Sequence, residues 1–107
     1  MNLREMHCEP VLAGTEPLNK EKIQVYMEQL PVEWRVYDNK RLTREFPFEN
    51  FQRGMAFAQE IARLAEEEQH HPLVCVSFPK VEVELSTHDI GGLSRNDFIM
   101  AAKIDEL

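Results

Sequence analysis

Cysteine is scarce in this chain of 107 residues: only Cys8 and Cys75 occur, far apart and without a CxxC pair. Neither a disulfide framework nor a cysteine-built metal site is expected, and both are read as free thiols. Positive charge is short as well. Twelve Lys and Arg stand against nineteen Asp and Glu, a formal charge of −7, and a field of that sign repels phosphate backbones and anionic bilayers. Direct nucleic-acid or membrane binding is therefore not expected. No apolar run approaches the roughly 20 residues of a membrane span. The opening residues, Met1 to His7, contain no signal-peptide apolar segment, so a cytoplasmic protein is expected. Also missing are a GxSxG elbow, a Gly-rich phosphate loop and a cysteine with a histidine partner in register. Nucleophilic and phosphoryl-transfer chemistry are disfavoured accordingly.

What is present fits an ordinary globular protein, 43% apolar and 29% charged. Folding a chain of this size removes about two thirds of its surface from water, enough for one modest core. One domain is expected over residues 1–107, with residues 1–14, which show no period, as a flexible arm. From Thr15 and Pro17, read as cap and first turn, Ile23, Tyr26, Met27 and Leu30 recur at helical spacing until Pro31. Trp34 to Tyr37 alternates, Asp38-Asn39-Lys40 is turn-forming, and Leu42, Arg44, Phe46 and Phe48 fall on every second position, which predicts a hairpin. Asn50 is a good N-cap for a helix over 51–68 with two adjacent apolar rows. One runs Phe51, Met55, Ala58, Ala62, Ala65 and the other Gly54, Phe57, Ile61, Leu64, and the Met and Phe positions are expected in the core. Glu66-Glu67-Glu68 ends this helix against its macrodipole, so a nearby cation would relieve the run. Glu67 and Glu68 are read as solvated.

A second hairpin follows, Leu73 to Phe78 and Val81 to Thr87, turning at Pro79-Lys80. Val81, Val83, Leu85 and Thr87 share one face, and Glu82, Glu84, Ser86 and His88 the other. Gly91-Gly92 break the strand, and Ser94 with Asp97 makes a capping-box-like start to a last helix carrying Phe98, Ile99, Ala101, Ala102 and Ile104. The expected fold is α+β, in the order helix-strand-strand-helix-strand-strand-helix. It has a four-stranded antiparallel sheet with three helices on one face. An exposed edge strand in so small a sheet suits pairing with a second copy, so a homo-oligomer is expected.

Three of four histidines, His70, His71 and His88, bracket the second hairpin, whose open ends the turn brings together. Glu66 lies one helical turn before His70, and Asp89 and Asp97 flank His88 on its other side. Imidazole exchanges protons near neutrality, and neighbouring carboxylates fix its tautomer, so two such groups on one substrate can act as acid and base. Three histidines and a carboxylate are also a common zinc set. Against a metal, adjacent histidines diverge in regular structure and HisHis lacks the one-face spacing of HExxH, so no metal is expected. His7 is read as a surface residue.

Taken together, Glu66, His70-His71-Pro72, Phe78, His88 and Asp97 carry a spacing that resembles the pterin-4a-carbinolamine dehydratase family. The Trp34 strand, Arg44-Glu45-Phe46-Pro47-Phe48, Phe51, Leu85 to Asp89 and Gly91-Gly92-Leu93 add to the resemblance, which covers about residues 15–107. It implies a cofactor-free dehydratase that removes water from 4a-hydroxytetrahydropterin to give quinonoid dihydropterin. Carried over by position, His70 and His88 resemble the acid/base histidines and His71 the substrate-positioning one. Glu66 and Asp97 resemble supporting carboxylates, and the Ser86-Thr87 backbone resembles the segment meeting the pterin's amide edge. Homodimers or homotetramers are implied, and some members also serve as dimerisation cofactors of a transcription factor, so a protein-interaction module on the same fold is the alternative. The chain departs from the pattern at Val74, where many members have Trp, and at Cys75, where a large apolar residue is common.

Overall fold

The computed structural model describes residues 2–107. Its elements are α1 (Lys20–Met27), β1 (Arg35–Tyr37), β2 (Arg41–Pro47), α2 (Phe51–Glu68), β3 (Leu73–Val76), β4 (Lys80–Leu85) and α3 (Arg95–Ile104). Single 3-10 turns lie at Leu3–Glu5 and His88–Ile90. The strands form one antiparallel sheet in the order β1-β2-β4-β3, so the expected α+β arrangement is present. Positive φ at Asp38 and Asn39, with Lys40 N–H donating to Tyr37 C=O at 2.9 Å, closes the first hairpin as a type I′ turn does.

Alternation sorts the two sheet faces. Leu42, Val81, Val83 and Leu85 are fully buried beneath Ile61 and Leu64 of α2 and Phe98, Ile99 and Ile104 of α3. Thr43, Glu45, Glu82 and Glu84 lie on the opposite, helix-free face, so one face is packed and the other solvated. The bounds of α2 are those expected, with the Asn50 side chain accepting from Arg53 N–H at 2.8 Å.

Four readings change. Residues 2–10, expected within a flexible arm, are tied to the body: Leu3 is buried and the backbone at Cys8 and Glu9 is hydrogen-bonded to Glu68 and Asn96. Met1 lies outside the described residues. Helix α1 begins at Lys20 rather than near Thr15. Leu18 N–H is held by Leu93 C=O at 2.8 Å, which keeps residues 15–18 against the chain before α3, and Asn19 supplies the cap by accepting from Lys22 N–H. In α2 the row Gly54, Phe57, Ile61, Leu64 is the covered one, joined from the other row by buried Ala65 and half-buried Ala58, whereas Phe51, Met55 and Ala62 are exposed. Gly54 decides this. A Cβ there would stand 3.3 Å from Val81 Cγ2, so the bare glycine lets the helix settle with that side down. Finally, the acidic end of α2 is not uniformly solvated. Glu66 pairs with His71, Glu67 with Arg63, and Glu68 with His7 and Lys103.

Candidate active site

Helix α2 ends at Gln69, whose φ of 53° is left-handed. This reverses the chain, leaves His70 N–H on Ala65 C=O at 3.2 Å, and sends the next two side chains apart. The His70 imidazole turns inward and is nearly enclosed, while His71 stays in solvent. Each meets its own carboxylate. His70 Nε2 stands 2.6 Å from Asp97 Oδ1, and His71 Nε2 stands 2.5 Å from Glu66 Oε2.

Asp97 is wholly buried in the first turn of α3. Such a carboxylate needs donors on both oxygens. Its Oδ2 accepts Thr87 Oγ1–H at 2.8 Å and Ser94 N–H at 2.9 Å, and the Ser94 side chain accepts from the backbone of Asp97 in a full capping box. Because Thr87 spends its hydroxyl proton on Asp97, the 2.6 Å contact between Thr87 Oγ1 and Ser94 Oγ runs with Ser94 donating. Every donor at Asp97 thus points at it, and an Nε2–H on His70 completes the set. That tautomer leaves His70 Nδ1 with a free lone pair, available to take a proton.

His88 opens the 3-10 turn directly after Thr87 and is exposed. Thr87, the residue before it, is hydrogen-bonded to Asp97, the partner of His70, so one residue separates His88 from that network. Asp89 is not drawn in: it is exposed and makes no hydrogen bond or ion pair among the described residues. Thr87 is used differently from the expectation. Its N–H donates to Gly92 C=O at 2.8 Å, its C=O accepts from Ile90, and its hydroxyl serves Asp97. Ser86, the residue after β4, is half-buried.

Val74 is half-buried on the helix-facing side of β3, and Cys75 is exposed on the other. No three His, Cys, Asp or Glu side chains converge as a ligand set among the described residues. A cavity of about 590 Å³ opens on the helix-free sheet face, lined by Arg35, Tyr37, Arg41, Glu82 and Glu84 among others; none of the three histidines lines it. The sequence marks Ser94 first of all as a cap, and the Ser94-to-Asp97 spacing is the signal for its place in this network. Sequence reasoning read Glu68 as solvated and did not single out Asn96, since nothing local marks a partner sixty or more residues away.

Comparison with known proteins finds relatives over nearly the whole chain. The family model described as pterin 4 alpha carbinolamine dehydratase matches residues 16–107. A protein of Alkaliphilus metalliredigens is 45% identical over 98% of this chain and 95% of its own length. One from Nitrosomonas eutropha is 42% identical over 99% of this chain and 93% of its own. Both are named, provisionally, as pterin-4-alpha-carbinolamine dehydratases. The solved structure of a transcriptional coactivator/pterin dehydratase from Brucella melitensis superimposes with a TM-score of 0.78 at 28% identity, covering 85% of this chain and 97% of that one.

Proposed function

The chain belongs to the pterin 4 alpha carbinolamine dehydratase family, and on that premise we propose that it dehydrates a 4a-hydroxytetrahydropterin to the quinonoid dihydropterin by histidine acid/base catalysis. The observation that carries the reading is the His70–Asp97 pair, an inward-turned imidazole held at one nitrogen by a buried carboxylate. The reaction breaks the C4a–O bond, removes the proton from the adjacent ring nitrogen, forms a C=N bond and releases water. It asks for one group to protonate the leaving oxygen and another to accept the nitrogen proton. His70, with its free Nδ1, is the base in this reading. Exposed His88, across the Thr87 link, delivers the acid proton, and His71, backed by Glu66, orients the ring. Ser86 faces the substrate, and Thr87 acts through Asp97. No cofactor or metal enters the scheme. The substrate is small and polar, which suits work in the cytoplasm.

Self-association belongs to the same reading, as a dimer or tetramer. β3 is a sheet edge, and Phe51 and Met55 stand one turn apart on the outer side of α2, 50% and 42% exposed. Pairing of copies there would cover both.

The decisive experiment is the rate at which freshly generated 4a-hydroxytetrahydropterin loses water with and without the protein. Acceleration is expected, falling about 10²-fold or more in His70→Ala and in His88→Ala with the fold intact, the usual weight of a general acid or base. An unaccelerated reaction, or variants as active as the parent, would overturn the reading.

A further inference from the structure

The His70–Asp97 bond joins two elements, the end of α2 and the start of α3. A third segment, residues 3–9, is fastened to both of them. It lies outside the part of the chain that the family model matches.

At the α2 end the anchor is Glu68, two residues from His70. Only 6% of its side chain is exposed, uncommon for a glutamate closing a surface helix. One oxygen accepts Cys8 N–H at 2.7 Å; the other lies 2.9 Å from His7 Nδ1 and 3.6 Å from Lys103 Nζ. Lys103 belongs to α3 and also donates to Arg4 C=O at 3.1 Å, so the cluster binds α2, α3 and the strap at once. At the α3 end the anchor is Asn96, the neighbour of Asp97. Its side-chain amide pairs with the backbone of Glu9 in both directions: Oδ1 accepts Glu9 N–H at 3.1 Å and Nδ2 donates to Glu9 C=O at 2.6 Å. The Cys8 thiol points at Asn96 C=O from 3.6 Å, and Leu3 is buried against the core. Burial pushes the Glu68 carboxyl upward, but the Cys8 N–H, His7 and Lys103 outweigh it and hold it below its ordinary value. The latch is thus charged at neutral pH.

We propose that Glu68 and Asn96 are positioning residues, through which the strap of residues 3–9 braces α2 against α3 and fixes the His70–Asp97 distance. Neither touches the reacting groups. The proposal rests on the acid/base reading of His70 for its kinetic part. A misplacement of the order of 1 Å at a reacting group costs up to about 10²-fold in rate, so a brace two residues away on one side and one residue away on the other has leverage.

Two full-length variants test it. Asn96→Ala removes both bonds to Glu9. Glu68→Gln, the milder change, keeps an acceptor for Cys8 N–H but lacks the charge that faces His7 and Lys103. Each is compared with the parent for kcat, for KM and for the low-field proton resonance of the His70 Nε2–H···Asp97 bond, which needs no substrate. Expected is a kcat about 5- to 30-fold lower at nearly constant KM, as for groups that orient a reacting side chain, and an upfield shift or broadening of that resonance. Glu68→Gln should show the smaller effect. If either folded variant keeps both kcat and the resonance, the brace is overturned. Should the parent show no dehydratase activity while the resonance still moves in the variants, the brace stands and the reaction assignment falls.

Discussion

At the scale of single residues, environment rather than type decides which carboxylate does what. Glu66, Glu67 and Glu68 are consecutive, yet one orients an exposed histidine, one pairs within its own helix to Arg63 and one is enclosed. The Cys8 N–H, His7 and Lys103 hold Glu68 below its ordinary pKa, and that has a sign. A carboxyl depressed in the folded state contributes stability above its unfolded value and loses it as pH falls through the folded one. The parent's stability against urea should therefore fall from about pH 5 downward, and in Glu68→Gln the decline should be shallower by that group's share. Equal slopes in the two proteins would contradict the assignment. Cys8 shows the opposite sense: burial, then Glu68 and Asp97, push its thiol up to about 12, so it stays protonated and inert. The histidines were legible in the sequence because three reactive side chains bracketed one hairpin. Asp97 was legible because the capping spacing tied it to Ser94. The inward turn of His70 and outward turn of His71 depend on one left-handed residue, Gln69, and no property of a glutamine announces that conformation.

Among the elements, helices and strands whose apolar period was unbroken are those found, with α2 matching end to end. The errors fall where contact with another element overrode local pattern. Pattern alone offered two apolar rows on α2, and the close approach at Gly54 chose between them. Thr15 and Pro17 looked like a helix start, but Pro17 is pressed instead against Gly92, where an added Cβ would lie 2.7 Å from Pro17 Cβ. This contact clamps residues 15–18 onto the turn that carries His88. Gly92→Ala must push the two segments apart, and thermal or urea melting should show a loss of about 1–3 kcal/mol, the usual cost of overpacking. The same variant should depress activity, because His88 rides on the displaced turn. Unchanged stability would mean that the contact is slack.

For the whole molecule, the formal charge of −7 is spread over a surface where many acids already have partners, such as Lys80 with Glu45 and Arg4 with Glu106. Pairs this exposed are worth only about 0–1 kcal/mol each, so the fold rests on its apolar layer between sheet and helices. The apolar groups outside that layer were not legible as such. Phe51 and Met55 read as core because a sequence cannot say which of two adjacent stripes meets the sheet. Light scattering at tens of micromolar should give a mass at least twice the 12.5 kDa of one chain, and Phe51→Ser with Met55→Ser should lower it. A parent that scatters as a single chain would remove the proposed association.

The strand order β1-β2-β4-β3 also distributes the entropy of folding unevenly. Both hairpins join neighbours in sequence and close at small entropic cost. The central ladder, from Leu42 opposite Leu85 to Phe46 opposite Val81, must close a loop holding all of α2 and β3, and that cost grows with loop length. A helix with its own N-cap shortens the floppy part of that loop before the ladder exists. Thus α2, besides delivering His70, acts as the strut that lets the two halves of the sheet find their register.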